Sequence, residues 1–406
     1  MIAASSDIGR LLRYRPFQLY FWARGLSEFA GQMAVVTVAW QLYALTDSAF
    51  ALGMIGLAQF VPTALLIFIA GHVSDRYERK RVLQICQFAE GATAAFLAVG
   101  TFGGWLNASE IFAAVLILGT ATAFESPADA ALLPAVAPEG LRQKATAFAT
   151  AAFQAAMVGG PALGGIVYGL SPGASYAAIA VFWLLAAILN GAIPVERRAG
   201  DAPAPTLGTI FAGWTFVRRN PAILGTISLD LFAVLLGGAT TLLPIYARDI
   251  LHTGAWGLGV LRAAPAAGAL LMTLVLSHYT IERRVGMRMF QAVIVFGLAT
   301  LVFAVSRSMW LSILALAILG AADTISMVIR ISLVQLATPD EMRGRVGAVN
   351  FLFVNASYQL GGFESGLTAA LFGAVPAAVL GGIGTIAVAL LWMKLFPALR
   401  DLERLE

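Results

Sequence analysis

Apolar positions in this chain come in long runs, not in the stripes of an amphipathic helix or the alternation of a half-buried strand. Each run reaches the ~20 residues that a helix needs to cross the hydrocarbon core of a bilayer. Twelve helices are predicted, over 18–45, 49–70, 82–104, 109–131, 144–170, 174–194, 221–247, 255–277, 288–305, 310–333, 345–371 and 375–396. Their connections are short, with one exception. Residues 196–219 (ERRAGDAPAPTLGTIFAGWTFVRR) hold prolines, charges and a short amphipathic stretch, and read as a linker. The expected fold class is all-α membrane, with twelve transmembrane helices in two pseudo-symmetric six-helix bundles. The bundles are expected over 1–195 and 220–406, joined by a cytoplasmic linker over 196–219.

Basic residues fix the expected orientation, because cytoplasmic connections collect Lys and Arg. Of the 26 basic residues, 21 lie at the termini, in the linker or in the even-numbered connections. The odd-numbered connections hold only Arg248 and Arg307, while Arg24, Arg262 and Arg330 fall inside spans. Both termini are therefore expected in the cytoplasm. The chain also repeats itself. At an offset of 201 residues, PEGLRQKATA (138–147) matches PDEMRGRVGA (339–348), Gly160 falls on Gly361 and Gly165 on Gly366. A weaker echo links 71–81 to 277–288. Duplicated halves are common in alternating-access carriers.

Composition agrees with this reading. Hydrophobic residues make up 59% of the chain and charged ones 12%, about half the ~25% of a soluble domain. One cysteine, Cys86, allows no intrachain disulfide. His72, His252 and His278 stand apart, with no partner ligands at metal-binding spacing, so no metal is expected. The first run is too long for a signal-peptide core and lacks a cleavage site, so it reads as a retained helix. No phosphate-binding loop is present, so neither ATP nor another cofactor is expected. A charge of +4 does not point to nucleic acid.

GHVSDRYERKRVL (71–83) resembles motif A of the major facilitator superfamily. The resemblance implies a cytoplasmic gate built from Gly71, Asp75, Arg76, Arg79 and Lys80. Gly71 permits close helix packing, and Asp75 suits a helix N-terminus, where the dipole favours an anion. Arg79 is expected to pair with a carboxylate at the end of helix 4, either Glu125 or, preferably, Asp129. Glu78 stands where the motif usually has Gly, which leaves the loop turn undetermined. GGPALGG (159–165) resembles the superfamily's motif C, with Gly160, Pro161, Gly164 and Gly165 bending helix 5 and letting a neighbour approach. Ordinary small-residue packing is the alternative. The order of DRYERKRVL, FESPADAALLPAVAPEGL, GGPALGG and QLATPDEMRGRVGAV is similar to the multidrug and siderophore exporter branch. Helix 4 lacks the basic residue of the drug antiporters' proton relay, so that relay does not transfer.

Charges inside the membrane are costly, at least ~2.5–3.5 kcal/mol each at mid-bilayer, and imply a partner, a wet cavity or a function. Arg24 and Glu28 share a face of helix 1. Asp230 lies near the middle of helix 7 and Asp323 of helix 10, with Arg330 two turns beyond Asp323. Glu90, Arg262 and Glu364 complete the set. In the superfamily, helices 1, 4, 7 and 10 line the cavity, which raises Glu28, Asp230 and Asp323 as proton carriers. Structural ion pairs or snorkelling are the alternative for all of these charges. Arg24 and Gln32 join the proton and substrate candidates, and Phe29, Trp40, Gln154, Phe232 and Tyr246 are further pocket candidates.

The function expected is proton-coupled export of small amphiphilic molecules across the bacterial inner membrane, by a protein acting as a monomer. The partners are the small-molecule substrate, protons and the lipid bilayer. An importer or uniporter is the nearest alternative. A receptor or membrane-embedded enzyme is further off, because no catalytic constellation is present.

Overall fold

A computed structural model of the chain describes residues 9–11, 13–194, 207–279 and 283–404. Among them every regular element is helical. Helices α1 to α6 run over Arg15–Thr46, Ala49–Arg76, Arg79–Gly103, Ala108–Val136, Arg142–Leu170 and Pro172–Gly191. A short linker helix covers Leu207–Arg219. Helices α7 to α12 run over Pro221–Leu236, Gly254–His278, Val285–Val305, Met309–Leu336, Asp340–Phe372 and Ala374–Leu395. Residues 196–206 of the expected linker lie outside the described residues.

Ten helical stretches are long and apolar enough to cross a membrane, counted by length and composition. The expected count was twelve. The two long helices outside the ten are α1 and α11, of 32 and 33 residues. Both exceed the length a bilayer requires. Both carry charges: α1 has Arg15, Arg24 and Glu28, and α11 has Glu341, Arg343, Arg345 and Glu364.

Local chemistry starts and stops the helices. A capping box opens α4, where the Asn107 amide donates to Glu110 Oε2 at 2.8 Å. Ser171 and Asn220 cap α6 and α7, each followed by a proline at the first helical position, where no N–H is needed. Gly104 closes α3 at φ 68°, a conformation open to glycine. Several helices run past their apolar runs. α2 continues through a polar last turn to Arg76, and α4 continues to Val136.

Contacts divide the chain into two units. The first is Met1–Leu45 with Val61–Ala204, and the second is Thr46–Phe60 with Pro205–Glu406. In the first, Phe17, Tyr20, Leu83, Leu132 and Val136 belong to one buried cluster. There α3 packs on α4 and α6, and a Cβ at Gly91 would come within 2.8 Å of Leu184 Cγ. In the second unit, Ile227, Val285, Met289, Phe290, Leu333 and Val346 are core residues. α8 and α10 approach through small residues, Gly268 meeting the backbone at Ala317 and Gly320 the backbone at Pro265. The start of α2 belongs to this second unit. A Cβ at Gly53 would lie 2.9 Å from Gly366 Cα, and Arg248 Nη1 pairs with Asp47 Oδ1 at 2.7 Å.

One expected helix is broken. The run 221–247 is a single helix by hydropathy, but α7 ends at Leu236. The chain continues as a 3-10 turn over Ala239–Leu242, a short helical turn at Leu243–Ile245 and a π turn over Tyr246–Ile250. The break falls at Gly237 and Gly238, and Pro244 blocks one helical bond beyond it. This proline has no N–H, and its ring excludes the carbonyl four residues earlier, which is that of Thr240. Arg262 Nη1, from α8, donates to this Thr240 carbonyl at 3.1 Å. That carbonyl also accepts from the Leu243 N–H, so Arg262 adds a second donor and finds within the protein an acceptor that lipid does not offer.

Replacing Arg262 with Met should remove the charged one of two donors to the Thr240 carbonyl, leaving only the Leu243 N–H, and cost about 1–3 kcal/mol. Thermal unfolding of the detergent-solubilised protein measures this. The loss should shrink when Pro244→Ala is added, because the restored N–H can take over the carbonyl. Equal losses in both backgrounds would contradict the assignment.

Candidate functional site

Each unit holds an ion pair between its first helix and its fourth. In the first unit Arg24 of α1 pairs with Asp129 of α4. Arg24 also donates to the Tyr20 hydroxyl at 2.8 Å and lies 3.7 Å from Glu28. Beside it, Glu125 Oε1 accepts from Ser27 Oγ at 3.0 Å and from Gln87 Nε2 at 2.8 Å. Gln87 is held in turn by Asn190, whose side-chain amide donates to Gln87 Oε1 at 2.8 Å. A polar chain therefore runs from α1 through α4 and α3 to α6. Glu90, one turn along α3 from Gln87, is 2% exposed, and its Oε2 has no partner.

In the second unit Asp230 of α7 pairs with Arg330 of α10, and both side chains are almost wholly buried. Asp323, two turns before Arg330 in α10, accepts from the Tyr358 hydroxyl of α11 at 3.3 Å. Asp230, Asp323 and Ser326 line a small pocket with Val234, Phe296 and Ala322. Two carboxylates thus stand beside one guanidinium.

The sequence repeat relates the two pairs at the fourth helix only, since Arg24 falls on Gly225. At the 201-residue offset, Asp129 falls on Arg330. Arg24 and Asp230 each stand ten residues into their own helix, α1 and α7. The two helices carry a cation and an anion in one half, and an anion and a cation in the other. The link between first and fourth helix is kept while its polarity is reversed.

The structure redistributes several expected partners. Arg79 does not pair with Asp129. Its Nη1 donates to the Ala131 carbonyl at 3.0 Å, in the last turns of α4, where a cation meets the negative end of the helix dipole. Asp129 is occupied by Arg24, which reaches it from α1. Arg24 does approach Glu28, but its contact with Asp129 is the closer one. Lys80 Nζ donates to the Ile193 carbonyl at 2.9 Å, just beyond α6. Gly71 lies within α2, and Arg76 is exposed at its end. Asp75 has its backbone in the last turn of α2, and its side chain lies outside the described residues. The helix N-terminus in this loop belongs to Glu78, which precedes α3 with φ −63° and ψ 114° and pairs with Arg81 at 2.7 Å. No positive φ is needed there, so Glu78 fits where the motif usually has glycine.

Gly160, Pro161, Gly164 and Gly165 are all buried within α5. A Cβ at Gly160 would lie 2.5 Å from Gln32 Cβ, and one at Gly164 would lie 2.9 Å from Met33 Cα. The neighbour that these glycines admit is α1, so Gln32 packs on this face. Of the further pocket candidates, Tyr246 is fully buried and donates to the Ala304 carbonyl at 2.9 Å, so it is a core residue. Phe232 is 40% exposed and packs on Trp392. Gln87, Asn190, Ser27, Tyr20 and Tyr358 were missed. Their signal was present in part, as amides and hydroxyls inside apolar runs.

Comparison with known proteins covers nearly the whole chain. A family model described as the Major Facilitator Superfamily matches residues 20–363. The enterobactin exporter EntS of Citrobacter koseri is 27% identical, over 96% of this chain and 94% of its own. That of Escherichia coli K12 is 25% identical, over 97% and 95%. Solved structures share the fold at lower identity. A bacterial homolog of the human lysosomal transporter Spinster, inward-facing and unoccupied, aligns with a TM-score of 0.73 at 12% identity, over 96% of this chain and 98% of that one. The nucleoside transporter NupG aligns with a TM-score of 0.70 at 16% identity, over 94% and 99%.

The burial of Asp230 and Arg330 sets a measurable cost. Arg330→Met strands a carboxylate and should destabilise the protein by about 3–5 kcal/mol, whereas Asp230→Leu with Arg330→Met removes both charges and should recover most of the loss. Thermal unfolding in detergent checks both. Arg24→Met should cost less, because the side chains of its pair are 21% and 20% exposed against 6% and 5%.

Proposed function

From the premise that this chain belongs to the major facilitator superfamily, and is thus a multi-pass membrane transporter, we propose that it exports small amphiphilic molecules in exchange for protons. Its substrates are siderophore-like or drug-like. The observation that carries proton coupling is the excess of carboxylate over guanidinium around Arg330. Asp230 and Asp323 line one pocket, and the arginine there pairs with Asp230, while Asp323 accepts from Tyr358. In a medium that does not solvate charge, the carboxyl left without the arginine is the one that holds a proton. When the arginine changes partner, the proton is released and the other carboxyl is free to load. Glu28 stands in the same relation to Arg24 and Asp129.

Export rests on similarity to the EntS exporters over almost the full length of both chains. The two halves, 1–195 and 220–406, work by alternating access, with 196–219 as a cytoplasmic linker. The chain sits in the inner membrane with both termini cytoplasmic, as the partition of basic residues requires. Gly71, Asp75, Arg76, Arg79 and Lys80 act as the cytoplasmic gate. Arg79 and Lys80 tie the start of α3 to backbone carbonyls near the ends of α4 and α6. The protein acts as a monomer driven by the proton gradient, without ATP.

Accumulation of a catecholate siderophore and of a cationic dye in an efflux-deficient host, with and without a protonophore, tests the class of activity. Expression should lower accumulation, and the protonophore should restore it. In vesicles with an imposed pH gradient, at least one of Glu28→Gln, Asp230→Asn and Asp323→Asn should abolish the drive. Three variants that all keep it would refute these carriers. Asp75→Asn should insert normally and transport poorly, which rates measured at matched expression would show.

A further inference from the structure

The polar chain of the first unit contains more negative charge than its one arginine can balance. Arg24 contacts Asp129 and lies 3.7 Å from Glu28, so its guanidinium is committed to these two. Glu125 is served by neutral donors, Ser27 and Gln87, both on Oε1. The orientation of Gln87 is fixed by Asn190. Because the Asn190 amide donates to Gln87 Oε1, Gln87 must present its N–H to Glu125. Glu90 follows Gln87 by three residues on the same face of α3. It is buried, its Oε2 is without a hydrogen-bond partner, and the charges of Glu125 and Glu28 act on it.

We propose that Glu90 and Glu125 form a second proton-binding station, inside the first unit and separate from the Asp230–Asp323 pocket. This rests on the reading of the protein as proton-coupled. A buried carboxylate oxygen without a donor is unstable unless a donor arrives, and a proton on Glu90 relieves that while lowering the repulsion between its charge and that of Glu125. A metal ion fits less well, because Gln87 aims an N–H, not an oxygen, at the site. The groups facing Glu90 are Glu125 from α4 and Glu28 from α1. Cys86 is the neighbouring thiol on its own helix, and α6 contributes the neutral Asn190. The nearby cation is Arg24. If it leaves Asp129 and turns toward Glu125, it repels the proton, and the station empties as α1 and α4 move. Only a proton is exchanged, taken from water on one side and returned to water on the other.

The experiment counts protons on the purified full-length protein in detergent. A pH-indicator dye follows uptake on acidification from about pH 9 to about pH 5, while infrared difference spectra follow the protonated-carboxyl band. Glu90→Gln should bind about one proton fewer than the wild type and lose part of that band. Glu125→Gln should shift the midpoint of the remaining uptake, and Glu90→Asp should keep the wild-type count. Exchanging sodium for potassium should change nothing. A wild-type count in Glu90→Gln would overturn the proposal, since Glu90 would then be permanently protonated or permanently ionised. A sodium-dependent count would also overturn it, in favour of a metal cation. Should Glu90→Gln fail to fold, Glu125→Gln and Glu90→Asp carry the test. Dye efflux from vesicles under a pH gradient separates this inference from its premise. A wild type without pH drive but with the Glu90-dependent proton removes the coupling and leaves the station. A Glu90→Gln protein with full drive and full proton count removes the station and leaves the coupling.

Discussion

Hydrocarbon offers a backbone carbonyl nothing to accept from and a charged side chain nothing to be solvated by, so each must find its partner within the protein. The polar features of this fold follow from that constraint. Arg262 comes from a neighbouring helix to bond the Thr240 carbonyl beside the Leu243 N–H. Asp230 is placed in an apolar helix because Arg330 faces it. Arg24 is shared among Tyr20, Glu28 and Asp129. Even the loop between α2 and α3 obeys the rule, with Arg79 and Lys80 finishing on carbonyls near helix ends.

A buried ion pair is a poor source of net stability, since desolvation offsets the attraction. Its value here is positional and chemical. Holding the first helix of a unit to its fourth through one short, directional contact gives two discrete arrangements, paired or parted, where apolar packing alone would slide. On the proposed proton coupling, protonating Asp230 or Asp129 would remove the anion that holds the arginine. Conformation and ion binding are then the same event seen from two sides.

The reversed polarity of the two pairs bears on how duplicated halves diverge. What both halves keep is a link between the first helix and the fourth. Either residue of the link can carry the cation. The surroundings did not stay equal. Glu125 falls at the offset of Ser326, so the first unit gained a carboxyl where the second has a hydroxyl whose buried Oγ is without a hydrogen-bond partner. Asp323 falls at the offset of Thr122. Each half thus holds an extra acid near its pair, one turn apart in register.

The sequence alone determined the helical spans, the repeat, the 71–83 and 159–165 segments and the superfamily. All of these are one-dimensional signals: apolar run length, spacing and residue order. It also marked each charge as out of place in lipid. Along one helix it could offer Arg24 only Glu28, and Asp230 no cation at all, because spacing reports neighbours three and four residues apart and nothing beyond. Tertiary structure decided the rest. It gave Arg24 to Asp129, Arg330 to Asp230, Arg79 to a carbonyl, and it broke α7 where hydropathy saw one run. Which side chains meet depends on helix rotation and on how closely small residues such as Gly160 and Gly164 let α1 approach. Those are properties of packing in three dimensions, and a hydropathy pattern does not contain them.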